Sequence, residues 1–150
     1  MAISGAVHGK SDVLRLENLS QGLLPFAARL LISAIFVQGA LGKITGWSGQ
    51  AEYMASHGMR FIPPLLAAAL VIEVLGVVAL LTGYQARAAA FAMFLYLGIV
   101  SVMLHNFWAL SGMSAGANQT AFMKNLGIMG GLLLISAFGP GRWAIGARRS

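Results

Sequence analysis

Apolar residues dominate four stretches of the chain, at about 23–41, 65–81, 88–108 and 122–138, with shorter polar segments between them. Each is within or close to the roughly 17 to 25 residues a helix needs to cross a bilayer, and none alternates with the period of two of a half-buried strand. Four transmembrane helices are therefore predicted. The short connection at 82–87 makes the second and third an antiparallel hairpin, and the longer connections at 42–64 and 109–121 lie at the opposite end. The expected fold is an all-α membrane protein, an antiparallel bundle of four transmembrane helices forming one domain over 23–143, with a basic tail at 144–150.

Ahead of the bundle, residues 1–22 interleave Val13, Leu14, Leu16 and Leu19 with Lys10, Asp12, Arg15 and Glu17, and contain no apolar run long enough for the core of an export signal. This pattern suits a short amphipathic helix in the interface and a disordered tail equally well.

Composition agrees with the spans. Of 150 residues, 58% are hydrophobic and 9% charged, against about 25% charged in ordinary soluble chains. That argues against a water-soluble enzyme or a free nucleic-acid binder, and it makes the lipid bilayer the first partner. The net charge of +6 then reads as topology. Lys10, Arg15, Arg87, Arg142, Arg148 and Arg149 share the side of both termini, whereas Lys43, Arg60 and Lys124 lie on the side of the long connections. This bias predicts cytoplasmic termini. Cysteine is absent, which removes disulfides, thiolate metal sites and dithiol chemistry.

Candidate chemistry lies with the ionisable residues in or beside the spans, because a charge in hydrocarbon costs several kcal/mol unless paired, facing a cavity or snorkelling. Arg29 and Glu73 are the candidate structural ion pair; the competing reading of Arg29 is snorkelling to headgroups. Arg29, Lys43 and Lys124 set three cations against one acid. Lys43, His105, Asn106, Lys124 and Asn125 are therefore the candidate ligand-binding set, donors around a polar cavity in the outer half of the bundle. An anionic or carbonyl-bearing ligand such as a quinone headgroup suits such donors, which stabilise an oxygen where negative charge develops. The competing readings are snorkelling for both lysines and a helix-end hydrogen bond for His105. Only His105 lies inside a span, which disfavours a bis-histidine haem, and His57, His105 and Glu52 lack diagnostic metal spacing. No metal site, intrinsic cofactor or self-contained catalytic machinery is expected.

Taken together, these residues resemble the DoxX family of four-helix membrane proteins from about Leu24 to Trp143. The resemblance rests on Arg29, Phe36, Gly39 and Lys43 in the first helix, and Glu73 with Gly76 in the second. It continues through Leu81, Thr82 and Gly83 with Arg87, through His105, Asn106, Phe107 and Trp108, and through FMKNLGIMGGLLL from Phe122, closing on Gly139, Pro140, Gly141 and Arg142. Where many members place an aspartate soon after that turn, this chain reads WAIGARRS, so a cytoplasmic carboxylate contact is expected to be missing. The resemblance implies a bacterial inner-membrane protein and a small subunit of a quinone-linked redox complex, with quinone as its only implied cofactor and other complex subunits as partners. The alternative is a non-catalytic accessory or assembly subunit docking onto a larger membrane complex. A small metabolite carrier or channel is a third reading.

Overall fold

The computed structural model describes residues 12–145, and every regular element among them is helical. Helix α1 spans Asp12–Thr45, α2 Trp47–Ser56, α3 Ile62–Thr82, α4 Ala86–Leu104 and α5 Gly112–Phe138, with one 3₁₀ turn at Phe107–Ala109. All but α2 are long and apolar enough to cross a membrane. The protein is an integral membrane bundle of four spanning helices, in which α1 packs on α3, α3 on α4, α4 on α5, and α5 back on α1.

Three boundaries differ from the hydropathy pattern. Residues 12–22 extend α1 through a π-helical turn at Leu19–Leu23, and Val13, Leu14 and Leu16 remain exposed on that extension. Residues 1–11 and 146–150 lie outside the described part, and with them part of the expected N-terminal segment and most of the basic tail. The connection after α1 breaks at Gly46 and refolds as α2, whose Met54 turns inward. Helix α5 begins at Gly112, well before its apolar stretch. Its first turns, rich in Ala, Ser, Asn and Gln, keep helical bonding while their side chains stay mostly exposed, so polarity marked the depth of the span and not the end of the helix.

Local chemistry explains the hairpin of α3 and α4. Pro63 and Pro64 open α3, where an absent N–H costs nothing. Gly83 closes it at φ +79°, its N–H bonded to the Ala79 carbonyl. A β-carbon on Gly83 would also collide with Ala144, so this turn needs glycine for conformation and for space.

Two arginines bind the ends of neighbouring helices. Arg29, fully buried on α1, donates to the carbonyls of Leu80 (2.7 Å) and Leu81 (3.3 Å) in the last turn of α3, and to that of Trp143. Arg87 at the start of α4 donates to Ser136 (2.9 Å) and Ala137 (2.6 Å) in the last turn of α5. Each guanidinium meets carbonyls that have no partner within their own helix, at the negative end of its dipole. The segment after α5 is laced to the same end of the bundle: Arg142 N–H donates to Gln21 (2.6 Å) and Ile145 N–H to Thr82 (2.8 Å). The two terminal nitrogens of Arg29 thus rest on carbonyls while its Nε is buried without a partner, and among the described residues no carboxylate touches the guanidinium.

Packing is tightest toward this terminal end. Leu80, Ala90, Met93 and Leu132 are almost wholly buried there, and Gly76 faces Met93 with no room for a β-carbon. Toward the opposite, loop-bearing end the same hairpin encloses space.

Candidate functional site

A cavity of about 760 Å³ lies between the loop-end halves of α3 and α4. Leu65, Leu66, Ala69 and Ile72 of α3 form one wall and Tyr96, Ile99, Val100 and Met103 of α4 the other. Gln50, Tyr53 and Met54 of α2, with Met59, roof it, while Lys43 of α1 reaches in and His105 stands at the end of α4. The volume is within the roughly 300 to 1,000 Å³ usual for small-molecule sites, and mostly apolar walls with a few converging polar groups are their common character.

The polar groups meet at Glu73. Its Oε1 accepts from Lys43 Nζ at 2.7 Å and from the Tyr96 hydroxyl at 2.8 Å. The ion pair is largely withdrawn from solvent, with side-chain exposures of 14% for Lys43 and 6% for Glu73. Gly39 lets α1 approach the carboxylate closely, since a β-carbon there would stand 3.3 Å from Oε1 and 3.4 Å from Oε2 of Glu73. Oε2 itself is buried without a hydrogen-bond partner. Lys43 and Tyr96 both line the cavity and both hold the carboxylate, so they orient each other through Glu73. An ammonium has three donors; with one given to Glu73 and a second directed at the Gly39 carbonyl at 3.5 Å, Lys43 retains one N–H for a ligand oxygen.

The roof is tied down by one bond, Tyr53 O–H to the Leu104 carbonyl at 2.9 Å. Partial burial pushes the Tyr53 pKa up, which keeps the hydroxyl a donor. The Tyr53 ring also packs on His57, centroids 4.5 Å apart.

The expected residues divide. Lys43 and His105 line one cavity. His105 Nδ1 lies 3.1 Å from Asn118 Oδ1, so the helix-end hydrogen bond and the cavity position coexist. Asn125 instead donates to Ser101 Oγ at 2.9 Å, joining α5 to α4. Asn106 Oδ1 is buried and unpartnered, outside the cavity lining. Lys124 is exposed, on a separate surface cleft with Gln119, Thr120 and Met123. The Arg29–Glu73 pair is corrected: Lys43 serves Glu73, and Arg29 serves carbonyls. In this antiparallel register Arg29 is level with Leu80, whereas Glu73 is level with Gly39, about 10 Å along the helix axis.

Tyr96 and Tyr53 escaped the reading of charges. A signal existed for Tyr96, since it is the single tyrosine within the apolar stretches and a buried phenol seeks a partner. Tyr53 carries no such mark in a polar connection. Among the described residues no group of three His, Asp or Glu side chains is placed to hold a metal ion.

Fold and site together define an integral membrane four-helix protein with an ion-paired cavity at one end of its bundle. Comparison with known proteins makes this more specific. The DoxX family model matches residues 24–106. Inner membrane protein YphA of Escherichia coli is 33% identical over 128 residues, 84% of this chain and 90% of that protein. Inner membrane protein YqjF of the same organism is 34% identical over 119 residues, 79% and 85% respectively. The ER-derived vesicles protein ERV29 of Saccharomyces cerevisiae is 24% identical over 156 residues, 98% of this chain and 50% of that protein. No solved structure matches. The chain belongs to the DoxX family.

Proposed function

We propose that this protein is a small integral membrane subunit of a quinone-linked redox complex and that the cavity beside Glu73 receives the quinone headgroup. One observation carries the reading: an apolar cavity of quinone size ends on Lys43 and Tyr96, both held on a single carboxylate oxygen. Lys43 offers a cationic donor to one carbonyl oxygen of the headgroup, and His105 at the rim is available to the other. When bound, a quinone would supply electron and proton acceptance; the chain's own residues bind and orient it and limit water around it. Glu73 keeps the ammonium in place and offsets its charge, so the cavity presents a directed donor without a large net field.

Direction in the membrane belongs to the same proposal. The basic residues on the terminal side outnumber those on the loop side, which supports cytoplasmic termini and an outward-facing cavity. The inner-membrane relatives support a bacterial cytoplasmic membrane.

Binding of a decyl-tailed benzoquinone to the protein in lipid nanodiscs tests the site. Lys43→Ala is expected to weaken binding by about tenfold or more, the scale of one lost charge-assisted hydrogen bond. Unchanged binding in Lys43→Ala, or none to the native protein, overturns the quinone reading. If in addition the protein copurifies with a membrane complex, the accessory-subunit reading takes its place.

A further inference from the structure

The cavity sits in the splayed half of a hairpin. Helices α3 and α4 are joined by the tight turn around Gly83 and pressed together at Gly76 and Met93, and the space opens from Ile72 and Tyr96 toward Leu65 and Leu104. Several residues along this opening serve two surfaces at once. Leu65 and Ala68 on α3, and Ile99 and Met103 on α4, line the cavity and are also exposed on the outside of the bundle. Ile99 is 60% exposed and Met103 43%. All four are apolar or small, and in a spanning helix such an outside faces lipid. At the water side Met54 is buried and α2 is bonded to α4 through Tyr53 and Leu104.

We infer that the cavity is filled sideways from the bilayer, through the opening between α3 and α4, and that its ligand is a lipid-soluble molecule with a carbonyl head and an apolar tail. The inference rests on the proposed function for the head at Lys43 and Tyr96; the route and the tail rest on the walls. A tail leaving between Leu65 and Ile99 exchanges lipid for apolar side chains at little cost, because lipid chains and leucine are similarly apolar. A tail directed to the roof would cross Gln50 and enter water, where every methylene exposed is unfavourable.

The test uses the full chain in nanodiscs and a benzoquinone carrying a diazirine at the end of a decyl tail. Photolysis is expected to label residues of α3 and α4 flanking the opening, Leu65, Ile99 and Met103 among them. With the same quinone in tritiated form, Ala68→Phe should slow association at least about fivefold, against typical mutant effects on association rates of one to three decades, while Leu134→Phe on the lipid-exposed face of α5 leaves it unchanged. Ala68 is exposed at the edge of the cavity and Leu134 on the outside of α5, so both variants are expected to fold, with monodispersity as the check. Labels on Gln50 and Tyr53 with association unaffected by Ala68→Phe would establish a water-side route and overturn the inference while leaving the quinone site standing. Absence of any binding removes both.

Discussion

Lys43 and Glu73, 30 residues apart on different helices, meet through Nζ and Oε1 at 2.7 Å and account for each other's presence within the bundle. A lone carboxylate at this depth would be strongly penalised, and the ammonium with it. Glu73→Ala should therefore destabilise the bundle by about 2–4 kcal/mol, whereas Lys43→Met combined with Glu73→Leu should be nearly neutral, since apolar replacement removes the desolvation along with the attraction. Reversible unfolding of the single and double variants in mixed micelles measures both. A double variant as unstable as the single would mean that the pair is not a self-contained unit.

The contact between Gly76 and Met93 carries a second expectation. Gly76→Ala introduces a β-carbon where the Met93 side chain already lies, and it should cost about 1–3 kcal/mol as overpacking. Met93→Ala should cost less in the Gly76→Ala background than in the native protein, because the added β-carbon occupies part of the space that truncation leaves. Thermal unfolding of the native protein, the two single variants and the double variant decides it.

Arg29 holds the last turn of α3 and the segment after α5 on one guanidinium. Arg29→Lys retains the charge and loses the planar fork that reaches both, so it should loosen the 139–145 segment with the spans intact. Hydrogen exchange at Ile145, bonded to Thr82 in the native protein, is expected to rise well before that of α4. Uniform protection in the variant would show that the segment is held by other contacts.

Tyr53 gives the roof a pH dependence. Its pKa is raised by burial, so the folded protein favours the protonated phenol. The stabilisation from its bond to Leu104 is fully present below the ordinary tyrosine pKa and is lost as pH rises through the raised value. Exchange of α2 amides should accelerate in that alkaline window in the native protein, and Tyr53→Phe should remove the step. A step that persists in Tyr53→Phe would assign it to another group.

Orientation can be read chemically because the chain lacks cysteine. A membrane-impermeant maleimide should label Ser56→Cys from outside intact cells and Ser20→Cys only after permeabilisation. The reverse pattern would turn the bundle over and place the cavity on the cytoplasmic side.

Much of the protein was written in its one-dimensional pattern. Four spans, their antiparallel order and the family could be read from apolar length and from motifs such as Glu73 with Gly76, because the bilayer imposes a minimum length on every crossing. Arg29, Phe36 and Lys43 recur at helical spacing and lie along the inward side of α1, whereas Lys124 on the last helix is exposed. Register between helices was not legible. Arg29 and Lys43 are equally plausible partners for Glu73 until the heights of α1 and α3 are set, and those heights are fixed by the Arg29 bonds to Leu80 and Leu81 and by the close approach of Gly39 to Glu73. The cavity shares that origin. It exists because α3 and α4 are pressed together near one end and spread at the other, a property of paired surfaces that no spacing along one chain segment contains. Sequence thus determined that the protein spans a membrane four times and which residues would be costly there; tertiary packing alone decided which of them meet.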